Sequence, residues 1–150
     1  MGVTRREVVG GVIAGMSLPV LQGMLGVEPT VLANDGEWVK TVKPTDLADG
    51  GFQRVEGQPI FLARQANEIY ALNNKCTHKA CAVNPLRRKK GVMQCPCHNA
   101  EYDIQGNVTK GPAEKPLARH ALRLNADGII EVSAKRLDDV ADKSGVLEVK

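Results

Sequence analysis

The chain has 150 residues, 43% of them apolar and 25% charged, with 15 Gly and 8 Pro; this suits one small domain plus an appendage and excludes two domains. The apolar fraction excludes a wholly disordered chain, and a formal net charge of +3 is too small to argue for nucleic-acid binding. Two Phe, two Tyr and one Trp leave a thin aromatic core, so something besides apolar burial is expected to hold the domain together.

At the N-terminus, Thr4-Arg5-Arg6-Glu7 precedes residues 8–27, which carry no charge. Adjacent arginines ahead of an apolar run resemble a twin-arginine export signal, which sends folded, often cofactor-loaded proteins across a bacterial inner membrane. The 20 uncharged residues, at about 1.5 Å each, match the roughly 30 Å of bilayer hydrocarbon. Five glycines and Pro19 make the run only moderately hydrophobic, and it lacks the polar stripe of a globular helix. Cleavage after Val31-Leu32-Ala33 and retention as a single anchor are both open. Residues 28–37 are polar and turn-rich and read as a linker.

From Trp38 onward, short runs alternate with turn signals and no long helical period occurs, which is an all-β pattern. Residues 38–42 alternate at period two. Residues 59–64 and 69–72 flank a hairpin turn at 65–68. Residues 92–94 and 101–104 are two further strands, the second followed by a turn at Gln105-Gly106-Asn107. Residues 121–124 and 129–132 flank Asn125-Ala126-Asp127-Gly128, whose Asp-Gly pair marks a hairpin. The charged tail, residues 135–150, is expected to hold a short helix and then an edge strand at 146–149. His120 is expected on a strand surface, without a role.

All four Cys and two of the three His fall between Cys76 and His98. One motif is Cys76-Thr77-His78 with Cys81; the other is Cys95-Pro96-Cys97-His98. Two Cys and two His can hold a tetrahedral zinc, or a two-iron two-sulfide cluster with thiolates on one iron and imidazoles on the other. A zinc finger supplies a Cys pair and then a His pair, whereas here each motif supplies one ligand of each kind. No nucleophile with a base, phosphate loop or paired carboxylates stands out, so no stand-alone catalytic site is expected.

These motifs resemble the two boxes of the Rieske iron–sulfur proteins, C-T-H-x-G-C and C-P-C-H-G-S, and more closely those of the subgroup found in cytochrome bc-type quinol oxidases. The resemblance covers roughly residues 38–135. It implies an all-β Rieske fold, a small antiparallel sandwich with an inserted cluster-binding part at about residues 73–109, in a domain of residues 38–150. It also implies one [2Fe-2S] cluster, with Cys76 and Cys95 on one iron, His78 and His98 on the other, and a disulfide between Cys81 and Cys97. Such a disulfide suits an oxidising compartment such as the periplasm. Tyr102 matches the family tyrosine that donates to a cysteine ligand, and Gly111-Pro112-Ala113 with Lys115-Pro116-Leu117 matches the proline loop over the cluster. The implied role is the mobile electron-transfer subunit of a quinol:cytochrome c oxidoreductase. Its head would face the periplasm, anchored in the bacterial inner membrane by an apolar helix at residues 1–27 and swinging on residues 28–37. Its partners would be a membrane b-type cytochrome, a c-type cytochrome acceptor and a quinol, with no nucleic acid. A Rieske subunit of a periplasmic molybdenum oxidoreductase of the arsenite-oxidase kind, and a zinc-stabilised module without redox activity, are the alternatives.

Two departures from the family boxes have consequences. Asn99-Ala100 replaces Gly-Ser after His98. Asn tolerates a left-handed backbone, but Ala100 lacks the hydroxyl that donates to a bridging sulfide in high-potential members. A lower potential, suited to a menaquinol-like donor, is the expectation. Lys79-Ala80 replaces an apolar residue and Gly in the first box; a lysine at the exposed tip weakens insertion into an apolar quinol pocket and favours an acidic or polar surface. The run Arg87-Arg88-Lys89-Lys90 reads either as a solvated turn or as a steering patch for an acidic cytochrome.

Overall fold

The computed structural model describes residues 37–137 and 139–149, so the expected leader and anchor, and all but the last residue of the linker, lie outside the described residues. The strands are β1 (Trp38–Lys40), β2 (Phe52–Arg54), β3 (Ile60–Gln65), β4 (Glu68–Asn73), β5 (Asn84–Pro85), β6 (Met93–Gln94), β7 (Glu101–Tyr102), β8 (Val108–Lys110), β9 (His120–Leu124), β10 (Ile130–Arg136) and β11 (Val146–Glu148). Among the described residues there is no α-helix, and none long and apolar enough to cross a membrane. The all-β expectation is met by three antiparallel sheets, ordered β1-β10-β9, β11-β4-β3-β2 and β5-β6-β7-β8.

The sheet containing β3 and β4 has both faces buried. Successive side chains of a strand point to opposite faces. Ile60 and Leu62 of β3, with Ile69 and Ala71 of β4, pack against Leu122, Ile130 and Val132 in one core. Phe61, Ala63, Tyr70 and Leu72 point the other way and pack with Cys76, Met93, Cys95 and Tyr102 in a second core. Burial on both faces is why these strands read as the unbroken apolar runs Ile-Phe-Leu-Ala and Ile-Tyr-Ala-Leu rather than as an alternation. Each of the large aliphatic and phenylalanine side chains contributes about 1.5–3 kcal/mol on removal from water. The second core is also the floor of the cysteine and histidine loops, so the middle sheet joins the stability of the domain to the position of its site.

Turns keep this layering in register. The β3–β4 hairpin pairs Gln65 with Glu68, and Ala66 sits in its turn at φ 52°, with its amide donating to the Asp49 carboxylate at 2.7 Å. In the β9–β10 turn the Asn125 side chain accepts from the amides of Asp127 and Ile129, both at 2.9 Å, and Gly128 takes φ 71°. Gly106 adopts φ 88°, and a Cβ there would meet Leu72 at 3.0 Å and Leu117 at 3.4 Å; both conformation and space call for glycine. The Asn73 amide donates to the Ala118 carbonyl at 2.8 Å, tying β4 to the segment that enters β9.

The chain's C-terminal part differs from expectation. Lys135 and Arg136 continue β10, past a register shift that lets Arg136 pair with His120. Among the described residues of the tail the only helical turn is 3₁₀, at Lys143–Gly145, capped by the Asp142 carboxylate. The expected edge strand is present as β11, paired with β4.

His120 is not on the surface: it is 1% exposed. Its Nδ1 lies 2.9 Å from the Ser133 carbonyl and its Nε2 3.1 Å from the Asn73 side-chain nitrogen. A carbonyl only accepts, so Nδ1 carries the proton and Nε2 accepts from the Asn73 amide. With both nitrogens satisfied, a neutral imidazole is buried at little cost. Burial, aided by Arg136, holds its pKa below the ordinary 6.5 despite hydrogen bonds to the backbone of Ser133 and Lys135. The unfolded chain therefore binds this proton more readily than the folded one, and stability is lost as pH falls through 6.5. Denaturant unfolding at about pH 7.5 and about pH 5.5 should show lower stability at the acid end, and His120→Gln should flatten that difference while lowering stability at both. An unchanged pH slope in the variant would refute the burial of a neutral imidazole.

Candidate metal centre

The two motifs form two loops of the same construction. In the first, the Cys76 amide donates to the Cys81 carbonyl and the Ala80 amide to the Cys76 carbonyl, both at 2.8 Å. In the second, the Cys95 amide donates to the Ala100 carbonyl and the Asn99 amide to the Cys95 carbonyl, both at 2.9 Å. Each loop thus spans six residues and closes on its own cysteine. The closure requires a left-handed residue at the fifth position, supplied by Ala80 at φ 56° and Asn99 at φ 58°. Asn99 behaves as expected; Ala80 adopts the same conformation at a cost of about 1 kcal/mol.

Folding back in this way turns backbone amides onto the sulfurs. The amides of His78 and Lys79 hydrogen-bond to Cys76, and those of Cys97 and His98 to Cys95. Cys76 and Cys95 are 4% and 1% exposed, are free of disulfides, and face each other closely enough to perturb each other's ionisation. Burial raises Cys76, but hydrogen bonds from Tyr102, from the two amides and from Cys95 outweigh it and leave the thiol shifted down. Burial raises Cys95, and the proximity of Cys76 keeps it up against its own amide donors. Two adjacent thiols of which one ionises first are poised to receive a cation.

A strap from the far side completes the floor. The Tyr102 hydroxyl lies 3.2 Å from Cys76 Sγ, 3.2 Å from the Thr77 amide and 3.1 Å from Thr77 Oγ1. Thr77 Oγ1 also lies 2.6 Å from the Lys115 carbonyl, which can only accept. The threonine proton is therefore spent on Lys115, and the single Tyr102 proton is shared between the sulfur and Thr77 Oγ1. Burial and then the neighbouring Cys76 raise the Tyr102 pKa, so the hydroxyl keeps that proton. Lys115 belongs to the expected proline loop: Pro112 is exposed, while Ala113 and Leu117 are buried in the core that holds both thiols.

The expected disulfide is present. Cys81 and Cys97 are joined with a Cα–Cα distance of 6.5 Å, linking the end of the first loop to the middle of the second. The Cys95 sulfur lies within 4.8 Å of both bonded sulfurs. These three do not form a metal site, because two are already joined to each other. His78 and His98 are exposed, with ring centroids 4.8 Å apart and planes at 88°.

The donor set therefore divides into a buried pair of thiols and an exposed pair of imidazoles. A binuclear unit with one iron per pair fits that division. Sequence reasoning found all of these side chains but missed the amide donors, the Thr77–Lys115 clamp and the common construction of the loops. Asn99 was a visible signal for the turn; Ala80 gave none, since alanine rarely turns left-handed. The run Arg87 to Lys90 lies in the β5–β6 turn, at the opposite end of that hairpin from the cysteine loops. It is exposed, and Lys89 pairs with Glu101 at 3.3 Å.

The profile of the Rieske [2Fe-2S] domain matches residues 37–122. The chain is 36% identical over 99 residues to the cytochrome b6-f complex iron-sulfur subunit 2 of the Cyanophora paradoxa cyanelle, covering 63% of the chain and 39% of that protein. It is 32% identical over 111 residues to cytochrome b6-f complex iron-sulfur subunit 1 of Nostoc, covering 71% of the chain and 62% of that protein. The chain thus spans between about two fifths and three fifths of these curated relatives. Among solved structures it resembles the plasma membrane Rieske protein PetC3 of Synechocystis PCC 6803, at 31% identity and a TM-score of 0.51, covering 63% of the chain and 98% of that one. Two closed loops with thiols below and imidazoles above, and a profile match over more than half the chain, give one conclusion: the chain belongs to the Rieske family, an electron-transfer protein whose domain binds a single [2Fe-2S] cluster.

Proposed function

We propose that Cys76 and Cys95 hold one iron of the cluster and His78 and His98 the other, and that the chain is the electron-transfer head of a cytochrome bc-type quinol:cytochrome c oxidoreductase. In this reading residues 1–27 tether it to the bacterial inner membrane and residues 28–37 let the head move on the periplasmic side. Its partners are a membrane b-type cytochrome, a c-type cytochrome acceptor and a menaquinol-like quinol. The observation that carries the ligand assignment is the segregation of donors, with thiols 4% and 1% exposed beneath two exposed imidazoles. The kinship with cytochrome b6-f iron-sulfur subunits supports the assembly, and the uncharged run after Arg5-Arg6 supports the tether.

When bound, the cluster supplies one-electron chemistry at about −150 to +300 mV. The chain's own residues set where in that range it works and how it is reached. Amides at both sulfurs and the Tyr102 hydroxyl at Cys76 form stronger hydrogen bonds to the more negative, reduced state, and so raise the potential. Ala100, fully buried where high-potential relatives carry serine, adds no donor. With one ring nitrogen on iron, each exposed imidazole would keep its other nitrogen free to take a proton from a quinol together with its electron. The disulfide keeps the two halves of the ligand set together when that face meets a partner.

These roles have separable consequences. In a redox titration of the cluster-loaded protein, Tyr102→Phe should lower the midpoint potential and Ala100→Ser should raise it; no change in either variant would remove the hydrogen-bond account. Cys81→Ser opens a crosslink spanning 16 residues, worth about 3 kcal/mol in chain entropy, and should speed cluster loss on mild heating without changing the ligand set. Equal cluster retention in variant and parent would show that the crosslink is dispensable. For the assembly, the full-length protein purified from detergent-solubilised membranes should bring a b-type cytochrome and quinol-dependent cytochrome reduction with it. Recovery with a large molybdopterin subunit instead would overturn the quinol oxidoreductase in favour of the molybdenum alternative.

A further inference from the structure

We propose that the exposed end of the centre docks an acidic electron-transfer protein through Lys75, Lys79 and Lys115; this rests on the ligand assignment above and names the surface chemistry of the acceptor. Lys79 follows His78 in the first loop, Lys75 precedes Cys76, and Lys115 sits on the strap whose carbonyl accepts from Thr77. All three are exposed, and none forms an ion pair among the described residues. The nearby Glu101 is already held between Lys89 at 3.3 Å and Lys110 at 3.7 Å. Asp103 accepts from the amides of Gln105 and Asn107 in its own turn, which leaves Glu114 as the free acid of this segment.

Charge is segregated along the whole chain. Residues 75–115 contain eight Lys or Arg against three Asp or Glu, while the entire chain is only +3, so the remainder is net acidic. Arg87, Arg88 and Lys90 lie at the far end of the β5–β6 hairpin and are not part of the docking end; their charge adds to the field there at low ionic strength, where the screening length grows to about 30 Å. Among the described residues, no apolar patch offers a protein acceptor a second way to dock. The single exposed large hydrophobic side chain among the described residues is Leu124, 44% exposed on β9 in a different sheet. Seating the loops in an apolar pocket would strip water from the Lys79 ammonium without a partner, whereas an acidic surface pairs it and also speeds encounter. With the cluster bound, one electron would pass to the oxidised metal of the acceptor, and the proton taken up at His78 or His98 on reduction would be released to solvent.

The test uses the cluster-loaded protein with two probes of opposite charge, an acidic plastocyanin and the basic mitochondrial cytochrome c. Two readouts are taken: the Kd by titration calorimetry and the reoxidation rate by stopped flow. Raising ionic strength from about 0.01 M to about 0.3 M should weaken plastocyanin binding and slow its reduction about tenfold, with the opposite trend for cytochrome c. Lys79→Glu and, independently, Lys115→Glu should each raise the plastocyanin Kd severalfold at low salt and lower that for cytochrome c. Salt-independent binding, or no effect of either variant, overturns the proposal. Salt-reversible binding to phosphatidylglycerol vesicles without binding to plastocyanin also overturns it, assigning the surface to lipid. Iron and acid-labile sulfide in the same preparation keep the two readings apart. Iron-free material would sink the ligand assignment, whereas iron-loaded material without charge preference sinks only the docking surface.

Discussion

The site depends on one backbone device: a six-residue loop closed by two main-chain hydrogen bonds, used twice. Closing the loop through its first and fifth amides turns the third and fourth amides inward over a sulfur, so the bonds that shape the loop leave other amides free to stabilise negative charge at its centre. A side chain at the third or fourth position is then forced outward. In the first loop this places His78, and in the second Cys97 and His98, at the exposed end. The segregation of soft buried donors from exposed imidazoles is therefore a consequence of local hydrogen bonding rather than of long-range packing. Long-range structure has a different task, which is to bring two such loops together and hold them.

Three constraints do that. The Cys81–Cys97 bond joins the loops directly, Thr77 Oγ1 clamps the first to the carbonyl of Lys115, and Tyr102 on β7 reaches across to Cys76. Beneath them the second core is continuous from Phe61 and Leu72 of the middle sheet to both thiols. With so few aromatic residues, the domain uses one sheet as the shared wall of two cores, so β3 and β4 each bury two rows of side chains. A cavity opened at Leu72 would be felt at Cys76, since both line one cluster of contacts and neighbouring substitutions do not add independently.

How much of this was visible in the sequence follows the range of the interactions. Strands long enough to show a period, or fully apolar, were legible: β3, β4, β9 and the start of β10 fall where the pattern put them. The short strands β2, β5 and β8, with sequences Phe-Gln-Arg, Asn-Pro and Val-Thr-Lys, carry two or three residues each and no period to detect. Their pairing is dictated by neighbours already in place. His120 was misread because a polar residue is ordinarily solvated; only the fold supplies Asn73, 47 residues away, and the Ser133 carbonyl to satisfy it. The cysteine and histidine side chains were legible because metal chemistry restricts residue types. The amides that surround the sulfurs carry no sequence signal at all.

The two departures from the family boxes act at opposite ends of this architecture. Ala100 lies in the buried floor, where a missing donor changes how strongly the reduced state is stabilised without altering the surface. Lys79 lies at the exposed end, where a charge changes which surfaces can approach without entering the hydrogen bonds around the sulfurs through its side chain. Because the loop separates inward-facing backbone from outward-facing side chain, potential and partner choice can be altered independently. A centre built this way can be tuned at its buried face for a donor of one potential, while its exposed face is fitted to an acceptor of one charge.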